Sequence, residues 1–215
     1  MANADTPFGL RPVRHKSGAP YNGAANPYYK PVGYATAVFI GDAVVKTGTS
    51  NTAAVSAPGL GSFQIGTLPE INQATAGDTN RITGVVVGFG ANPNALETTY
   101  SPASTEAVVW VVDDPDIVFE IQADGAIPAA SIGLNAVLIF THAGNTTTGL
   151  SGMELDTTSD IPAADASNQL LILRQVNRED NEPNVLHNKV EVMISNHTES
   201  QNSGSAAVNE GTLGI

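Results

Sequence analysis

The segment 106–143 constrains the fold more than any other, because it contains two short, dense apolar runs separated by an acidic turn. The runs cover residues 107–112 and 117–121, and Val, Ile, Phe and Trp dominate both. Such β-branched and aromatic side chains pack well on a pleated sheet, and the length of these runs is that of strands. The turn DDPD at 113–116 ends a strand, because proline lacks a backbone N–H. The segment therefore predicts a β-sheet core.

Six further apolar segments have the composition of strands, and turn residues separate them at short, irregular intervals. They span residues 37–47, 62–65, 82–89, 134–140, 170–176 and 189–195, and the first also fits a tight hairpin. About eight strands with this spacing predict an all-β fold. The architectures that fit are a single antiparallel β-sandwich or jelly roll, or a small β-barrel.

The last of these segments, KVEVMIS at 189–195, alternates apolar and polar residues. Successive side chains of a strand point to opposite faces of the sheet, so Val190, Val192 and Ile194 should share a buried face. Lys189, Glu191 and Ser195 should then share the other face. We expect that second face to be solvated.

The chain is expected to have three regions, an extended N-terminal arm at 1–34, a β body at 35–196 and a polar, low-complexity tail at 197–215. Five of the thirteen prolines lie in the first region, and they forbid a helix and interrupt a central strand. This region carries a charge of +3, whereas the remaining residues carry −15. A basic arm on an acidic body could dock on an acidic neighbour, including the body of another copy of this chain.

The N-terminal region is also rich in aromatic side chains, unlike a disordered linker. Two interpretations stay open, namely that it lies in a groove on another subunit or that it wraps its own domain. Aromatic and arginine side chains are favoured as interface anchors. The candidates for contact with a partner protein or another subunit are Phe8, Arg11, Arg14, Tyr21, Tyr28 and Tyr29.

The sequence contains no pattern that predicts an enzyme, a cofactor site or a metal site. Cysteine is absent, which rules out disulfides and thiolate ligands. The four histidines lack the spacing of H-E-x-x-H, and the glycine-rich pieces lack the Gly-Lys-Ser/Thr of a P-loop. The acidic group Asp113, Asp114, Asp116 and Glu120 lacks EF-hand spacing, so we interpret it as a hairpin turn with solvated carboxylates.

The composition also bears on partners and location. A net charge of −12 argues against direct binding of nucleic acid, because phosphates would be repelled. No apolar run approaches the roughly 18 residues of a membrane-spanning helix, so no membrane partner is expected. The first residues lack the basic region followed by an apolar run that marks a secretory signal. We therefore expect a soluble protein that is made in the cytoplasm.

Several segments together resemble a known class of viral protein. The segments are ANADTPFGLRPVRHKSGAPYNG, FIGDAVVKTG, LPEINQATAGDTNRITGVVVGF, and DDPDIVFEIQADG followed by LNAVLI. They resemble capsid decoration, or cement, proteins from the head modules of tailed bacteriophages, over roughly residues 3–197. The resemblance is one of overall pattern, because such proteins have no catalytic signature.

The resemblance implies a β-rich protein that binds the outside of the expanded shell as a trimer or dimer. The implied partner is the major capsid protein, and the implied location is the exterior of the virion after synthesis in the host cytoplasm. The expected function is non-enzymatic stabilisation of the capsid by bridging neighbouring capsomers. The alternatives are a carbohydrate- or receptor-binding β module that uses Trp110 and the tyrosines, or a minor head or tail structural subunit.

Overall fold

The computed structural model describes residues 3–58, 61–92 and 95–199 and confirms the all-β prediction. The elements are β1 (Arg11–His15), β2 (Asn26–Lys30), β3 (Ala43–Ser50), β4 (Val55–Ala57), β5 (Gly61–Phe63), β6 (Pro69–Gln73), β7 (Gly84–Phe89), β8 (Ala107–Val112), β9 (Ile117–Gln122), a 3₁₀ turn (Ala129–Ser131), β10 (Asn135–Ala136), β11 (Leu138–Ile139), β12 (Glu154–Leu155), β13 (Leu170–Gln175) and β14 (Lys189–Ile194). Strands β4 and β5 pair as a small ribbon, and so do β11 and β12.

Five strands close into a small barrel in the order β2-β6-β3-β7-β8. Alternate residues of β8, Val109 and Val111, point into the barrel and pack with Tyr28 and Val86. The pairs are antiparallel except for β2 with β6, which run parallel. This closure removes most of the free strand edges from that part of the molecule.

The second layer is a five-stranded antiparallel sheet in the order β1-β9-β14-β13-β10. One face of this sheet, including Phe119 and Val192, packs against side chains on the outside of the barrel such as Val85 and Val112. The largest hydrophobic core therefore lies between the barrel and the sheet, as in a sandwich. The opposite face of the sheet points away from this core.

The acidic turn at 113–116 connects the two layers, so its interpretation as a hairpin turn is wrong. Strand β8 belongs to the barrel and β9 belongs to the sheet, and the two are not paired with each other. Asp113 accepts hydrogen bonds from Asn26 Nδ2 at 2.9 Å and from the Tyr28 hydroxyl at 2.7 Å. Asp113 thus anchors the connection between the two layers to β2.

The extended arm predicted for residues 1–34 is not confirmed, because this region supplies one strand to each layer. Strand β1 pairs with β9, and β2 pairs with β8 along its whole length. The prolines are tolerated because β1 is an edge strand and β2 meets β6 at only one residue pair, Tyr29 with Glu70. Of the interpretations left open, this structure shows the region packed on its own chain.

The predicted C-terminal tail lies mostly outside the described residues. Its first residues are packed, since His197 is buried and the Thr198 backbone N–H donates to the Ile82 carbonyl at 3.0 Å. Across the three described ranges, no helix is long and apolar enough to cross a membrane.

Candidate protein-binding face

The outward face of the five-stranded sheet carries a charged row that crosses four strands. Arg174 on β13 lies opposite Glu191 on β14, Glu191 lies opposite Glu120 on β9, and Glu120 lies opposite Arg11 on β1. Val190, Val192 and Ile194 lie in the core on the other side, as predicted. The prediction that Glu191 is solvated is wrong, because arginine side chains cover it and leave it 8% exposed.

Two like charges therefore stand directly opposite each other at the centre of the sheet. Glu120 is 4% exposed and Glu191 is 8% exposed. Directly opposed like charges destabilise a sheet, and burial of an unpaired carboxylate is far more costly. The arrangement is stable only because each carboxylate binds two guanidinium groups.

Two arginines bind Glu191, namely Arg174 on the adjacent strand β13 and Arg14 on β1. Arg14 Nη2 donates to Oε2 at 2.7 Å, and Arg174 Nη2 donates to Oε1 at 2.7 Å. Burial by itself would raise the pKa of Glu191, but the hydrogen bonds from Arg174 and Arg14 outweigh it and lower the pKa below its usual value. The hydrogen bond between Arg174 and Glu191 also raises the pKa of Arg174. Glu191 is therefore held ionised.

Arg178, in the loop that follows β13, makes a bidentate contact with Glu120. Arg178 donates from Nη1 to Oε2 at 2.9 Å and from Nη2 to Oε1 at 2.8 Å, and Arg11 Nη2 lies 3.0 Å from Oε1. Arg178 also donates from Nε to Asp180 at 2.9 Å, and Lys189 Nζ lies 3.1 Å from the same carboxylate. These two hydrogen bonds lower the pKa of Asp180 to about 2. These contacts connect five residues into one network: Arg11, Glu120, Arg178, Asp180 and Lys189.

We call this surface the arginine face, and its charged members are Arg11, Arg14, Glu120, Arg174, Arg178, Asp180, Lys189 and Glu191. It gathers five of the nine Lys and Arg residues of the chain against three acids, on a protein whose net charge is −12. The Arg11 and Arg174 side chains remain 54% and 59% exposed. The face can thus bind carboxylates of a partner while its own glutamates stay paired.

The edges of the same sheet are covered by short bridges from the chain itself. Arg14 in β1 bridges to Pro20, and Asn135 in β10 bridges to Ala163. A covered edge resists the addition of a strand from another protein. Contact through this sheet is therefore expected from the side chains of its face rather than from its backbone edges.

The structure brings together three of the six predicted contact residues, Phe8, Arg11 and Arg14. The Arg11 guanidinium lies 4.7 Å from the centre of the Phe8 ring, and Arg11 and Arg14 both belong to the arginine face. A guanidinium stacked on an aromatic ring is a common interface anchor. These residues were identified from composition alone, without the strand that positions them.

The three predicted tyrosines lie elsewhere. Tyr28 is 3% exposed inside the barrel, so its ring is not available for contact with another protein. The Tyr29 hydroxyl donates to Glu106 at 2.8 Å, and the Tyr21 hydroxyl donates to the Ala24 carbonyl at 2.9 Å. Sequence reasoning missed Arg174, Arg178 and Lys189, because only the strand register brings them next to the N-terminal arginines.

Three of the four cations of the N-terminal region, Arg11, Arg14 and Lys30, bind groups of their own chain. Arg11 and Arg14 bind Glu120 and Glu191, as described above. Lys30 is buried and donates to the Pro102 and Thr105 carbonyls at 2.8 and 2.9 Å, and burial lowers its pKa to about 8. In this structure the acidic body on which the region docks is that of the same molecule.

A cleft of about 540 Å³ lies beside β8, between the loop at 90–105 and β4. Its lining includes Phe89, Leu96, Tyr100 and Glu106. The Tyr100 ring stacks on Phe39 with centroids 4.9 Å apart. Its size falls within the range of small-ligand sites, and its lining combines aromatic and polar groups.

Comparison of the chain with protein-family models, with curated proteins and with solved structures finds no match in any of the three.

Proposed function

We propose that this protein is a non-enzymatic structural component of a virion that binds the outer surface of an assembled phage capsid and bridges neighbouring capsomers. The observation that supports the proposal best is the arginine face, a positively charged, partly exposed surface on an acidic protein. Its natural partner is an acidic patch on the major capsid protein. The resemblance of the sequence to phage decoration proteins points to the same partner.

The physical role does not require a reaction. A protein that binds the assembled lattice better than free capsid protein stabilises the lattice by mass action. Many copies on a symmetric shell, or a dimer or trimer that contacts two capsomers, would add avidity. The acidic remainder of the molecule would discourage binding to released DNA.

The test is the binding of untagged full-length protein to purified undecorated shells, measured by co-sedimentation. The informative variant is the double substitution Arg11→Ala/Arg174→Ala. It removes the two most exposed guanidinium groups, while Arg14 still binds Glu191 and Arg178 still binds Glu120. We expect shell affinity to fall at least about tenfold, because two interface arginines are lost.

Arg81→Ala serves as the matched control, since Arg81 lies before β7 in the barrel and not in the charged sheet network. We expect it to bind shells like the wild type. Equal binding by the double variant would remove the arginine face from the contact. If wild-type protein binds no shell, the capsid proposal fails. Sedimentation of the free protein also distinguishes a dimer from a trimer.

A carbohydrate- or receptor-binding module is the second candidate, and the cleft beside β8 favours it. Aromatic rings commonly stack on sugar rings, and the half-buried Phe89 and Tyr100 line this cleft. Glycan-array binding that Tyr100→Ala abolishes would support this alternative. A minor head or tail subunit would instead copurify with particles without binding to finished shells.

A further inference from the structure

Three ionisable side chains from distant parts of the sequence converge beside the edge of the two-stranded ribbon β11-β12. They are Asp5 near the N-terminus, Glu154 on β12 and His187 just before β14. One ligand atom from each lies within 4.8 Å of the others. His187 Nδ1 is 3.8 Å from Asp5 Oδ1. Neither the arginine face nor the cleft beside β8 includes these residues.

Among the residues that the structure describes, two buried atoms of this cluster find no hydrogen-bond partner. They are Glu154 Oε1 and His187 Nδ1, and the Glu154 residue is only 1% exposed. A buried carboxylate oxygen without a partner is costly, and native structures rarely leave one unexplained. A bound cation would satisfy both atoms together. This pair of orphaned atoms is the main reason to consider a metal.

The other oxygen of Glu154 is firmly held. Thr141 Oγ1 donates to Glu154 Oε2 at 2.5 Å, and His142 Nδ1 lies 3.0 Å from the same oxygen. With the proton on Nδ1, His142 donates to this oxygen and orients the carboxylate. Hydrogen bonds of this kind to a ligating group commonly fix its orientation in metal sites. His142 is thus a positioning residue.

The backbone on both sides of Asp5 is also fixed by side chains of the body. Gln122 donates from Nε2 to the Ala4 carbonyl at 2.7 Å and accepts from the Thr6 N–H at 3.2 Å. Asn3 accepts from the Glu182 N–H at 2.8 Å. Asp5 is therefore held in place by contacts that do not involve its own carboxylate.

His187 has an unusual backbone conformation, with φ at +60°. Non-glycine residues with positive φ are uncommon, and strained conformations concentrate at functional sites. Its N–H donates to the Gly125 carbonyl at 2.9 Å. This backbone hydrogen bond fixes His187 at the position where its imidazole lies near Asp5 and Glu154.

We propose that Asp5, Glu154 and His187 bind a divalent transition-metal cation of the Zn²⁺ type. One imidazole and two carboxylates, without a thiolate, are ligands that suit such an ion. Metal–ligand bonds of about 2.0–2.2 Å place ligand atoms roughly 3–3.5 Å apart. The present spacings require the side chains to converge by about 1 Å, and Asp5 is 42% exposed on the open side. The cation would fasten the N-terminal segment to the body.

The test is isothermal titration of Zn²⁺ into untagged, EDTA-treated full-length protein, together with the thermal unfolding midpoint. We expect one Zn²⁺ per chain. A hundredfold excess of Zn²⁺ over its Kd should raise Tm by roughly 5–10 °C, because the metal binds the folded state. Neither measurement involves capsids, so failure here and failure of the capsid proposal are distinguishable.

Two substitutions remove ligands with little change of shape. Glu154→Gln keeps an acceptor for Thr141 and His142, and His187→Asn places a residue that tolerates positive φ. Each should raise the Kd for Zn²⁺ at least about tenfold, since even the loss of groups that only orient a ligand has effects of this size. His15→Asn is the control, because His15 lies 3.4 Å from Asp114 at a different place. It should leave the Kd unchanged.

The outcomes are clear in either direction. Absence of Zn²⁺ binding to the wild type, or an equal Kd in Glu154→Gln and His187→Asn, overturns the proposal. If circular dichroism shows that a buried variant is unfolded, Asp5→Asn replaces it, since Asp5 is partly exposed and its backbone is held independently. Retained binding in Asp5→Asn would then contradict the proposed ligand set.

Discussion

Glu120 and Glu191 lie side by side on the sheet, and four guanidinium groups bind them. The pairing is long-range, because β9 and β14 are far apart in the sequence. Alternation in 189–195 predicted the side on which Glu191 lies but not its burial. Burial depends on arginines from β1, β13 and the loop after β13, and their proximity follows from strand register.

The lowered pKa of Glu191 predicts how the stability of the fold depends on pH. Because the folded-state pKa is below the usual 4.5, the unfolded chain takes up the proton first as the pH falls. The stabilisation is complete above about pH 4.5 and is lost below it. We expect Glu191→Gln to cost about 2 kcal/mol at pH 7 and to reduce the dependence of stability on pH below 4.5. Urea unfolding at several pH values measures this.

Glu97→Gln is a suitable control, since it removes one exposed carboxylate from the segment between β7 and β8, away from the strands of the arginine face. It should leave the acid-dependent loss of stability in place. A Glu191→Gln protein whose stability falls with pH as steeply as that of the wild type would show that the arginine contacts do not hold this carboxylate ionised.

Gly9 packs closely against Gly41, which precedes β3. Its φ is +72°, and a Cβ there would lie 2.3 Å from the Gly41 carbonyl oxygen. We predict that Gly9→Ala destabilises the protein by about 3 kcal/mol or more, because the clash is with backbone. Gly18→Ala is the matched control, because φ is +94° and an added Cβ would meet nothing within 4 Å in the described part of the chain beyond its own neighbours. It should cost only about 1 kcal/mol. Equal unfolding free energies would contradict the close approach.

At the scale of elements, apolar density predicted the central strands well. The predicted strand 107–112 coincides with β8, and the predictions at 117–121, 170–176 and 189–195 differ from β9, β13 and β14 by one residue. These strands are buried on the face that the sequence makes apolar. Burial of apolar side chains drives these strands into the core, and their apolar residues are contiguous, so composition alone identifies them.

Strands with prolines or polar residues were missed, and their pairing explains why. Strands β1, β2 and β6 each contain a proline, which sequence reasoning takes as a signal against a strand. They are tolerated where one side of the strand lacks a ladder partner. Strand β12 has only two residues, and the predicted strand at 134–140 divides into β10 and β11. Whether such short strands pair depends on the surrounding fold rather than on their own sequence.

Removal of residues 1–32 tests whether the N-terminal region is part of the body. The deletion takes away β1 from the sheet and β2 from the five-stranded barrel, together with two of the four arginines on the buried glutamates. We expect the shortened protein to lose its cooperative thermal transition and to aggregate. A sharp transition near the Tm of the full-length protein would show instead that the region is dispensable. Scanning calorimetry distinguishes the two outcomes.

At the scale of the whole molecule, the charge asymmetry found in the sequence becomes a feature of the surface. The excess of positive charge in residues 1–34 predicted a region able to bind acidic groups. The structure combines part of that region with arginines from the other end of the chain to form one face. The residues responsible could be only partly predicted, because the register of β1, β9, β14 and β13 assembles them.

The strand order also has a consequence for synthesis on the ribosome. All five barrel strands lie between Asn26 and Val112, so the barrel can close while later residues are still being translated. The sheet has β14 at its centre, and β14 is the last strand described. Among the described strands, β1 emerges first and must wait, unpaired, for β9. A nascent chain would thus pass through a stage with a closed barrel and an unformed sheet.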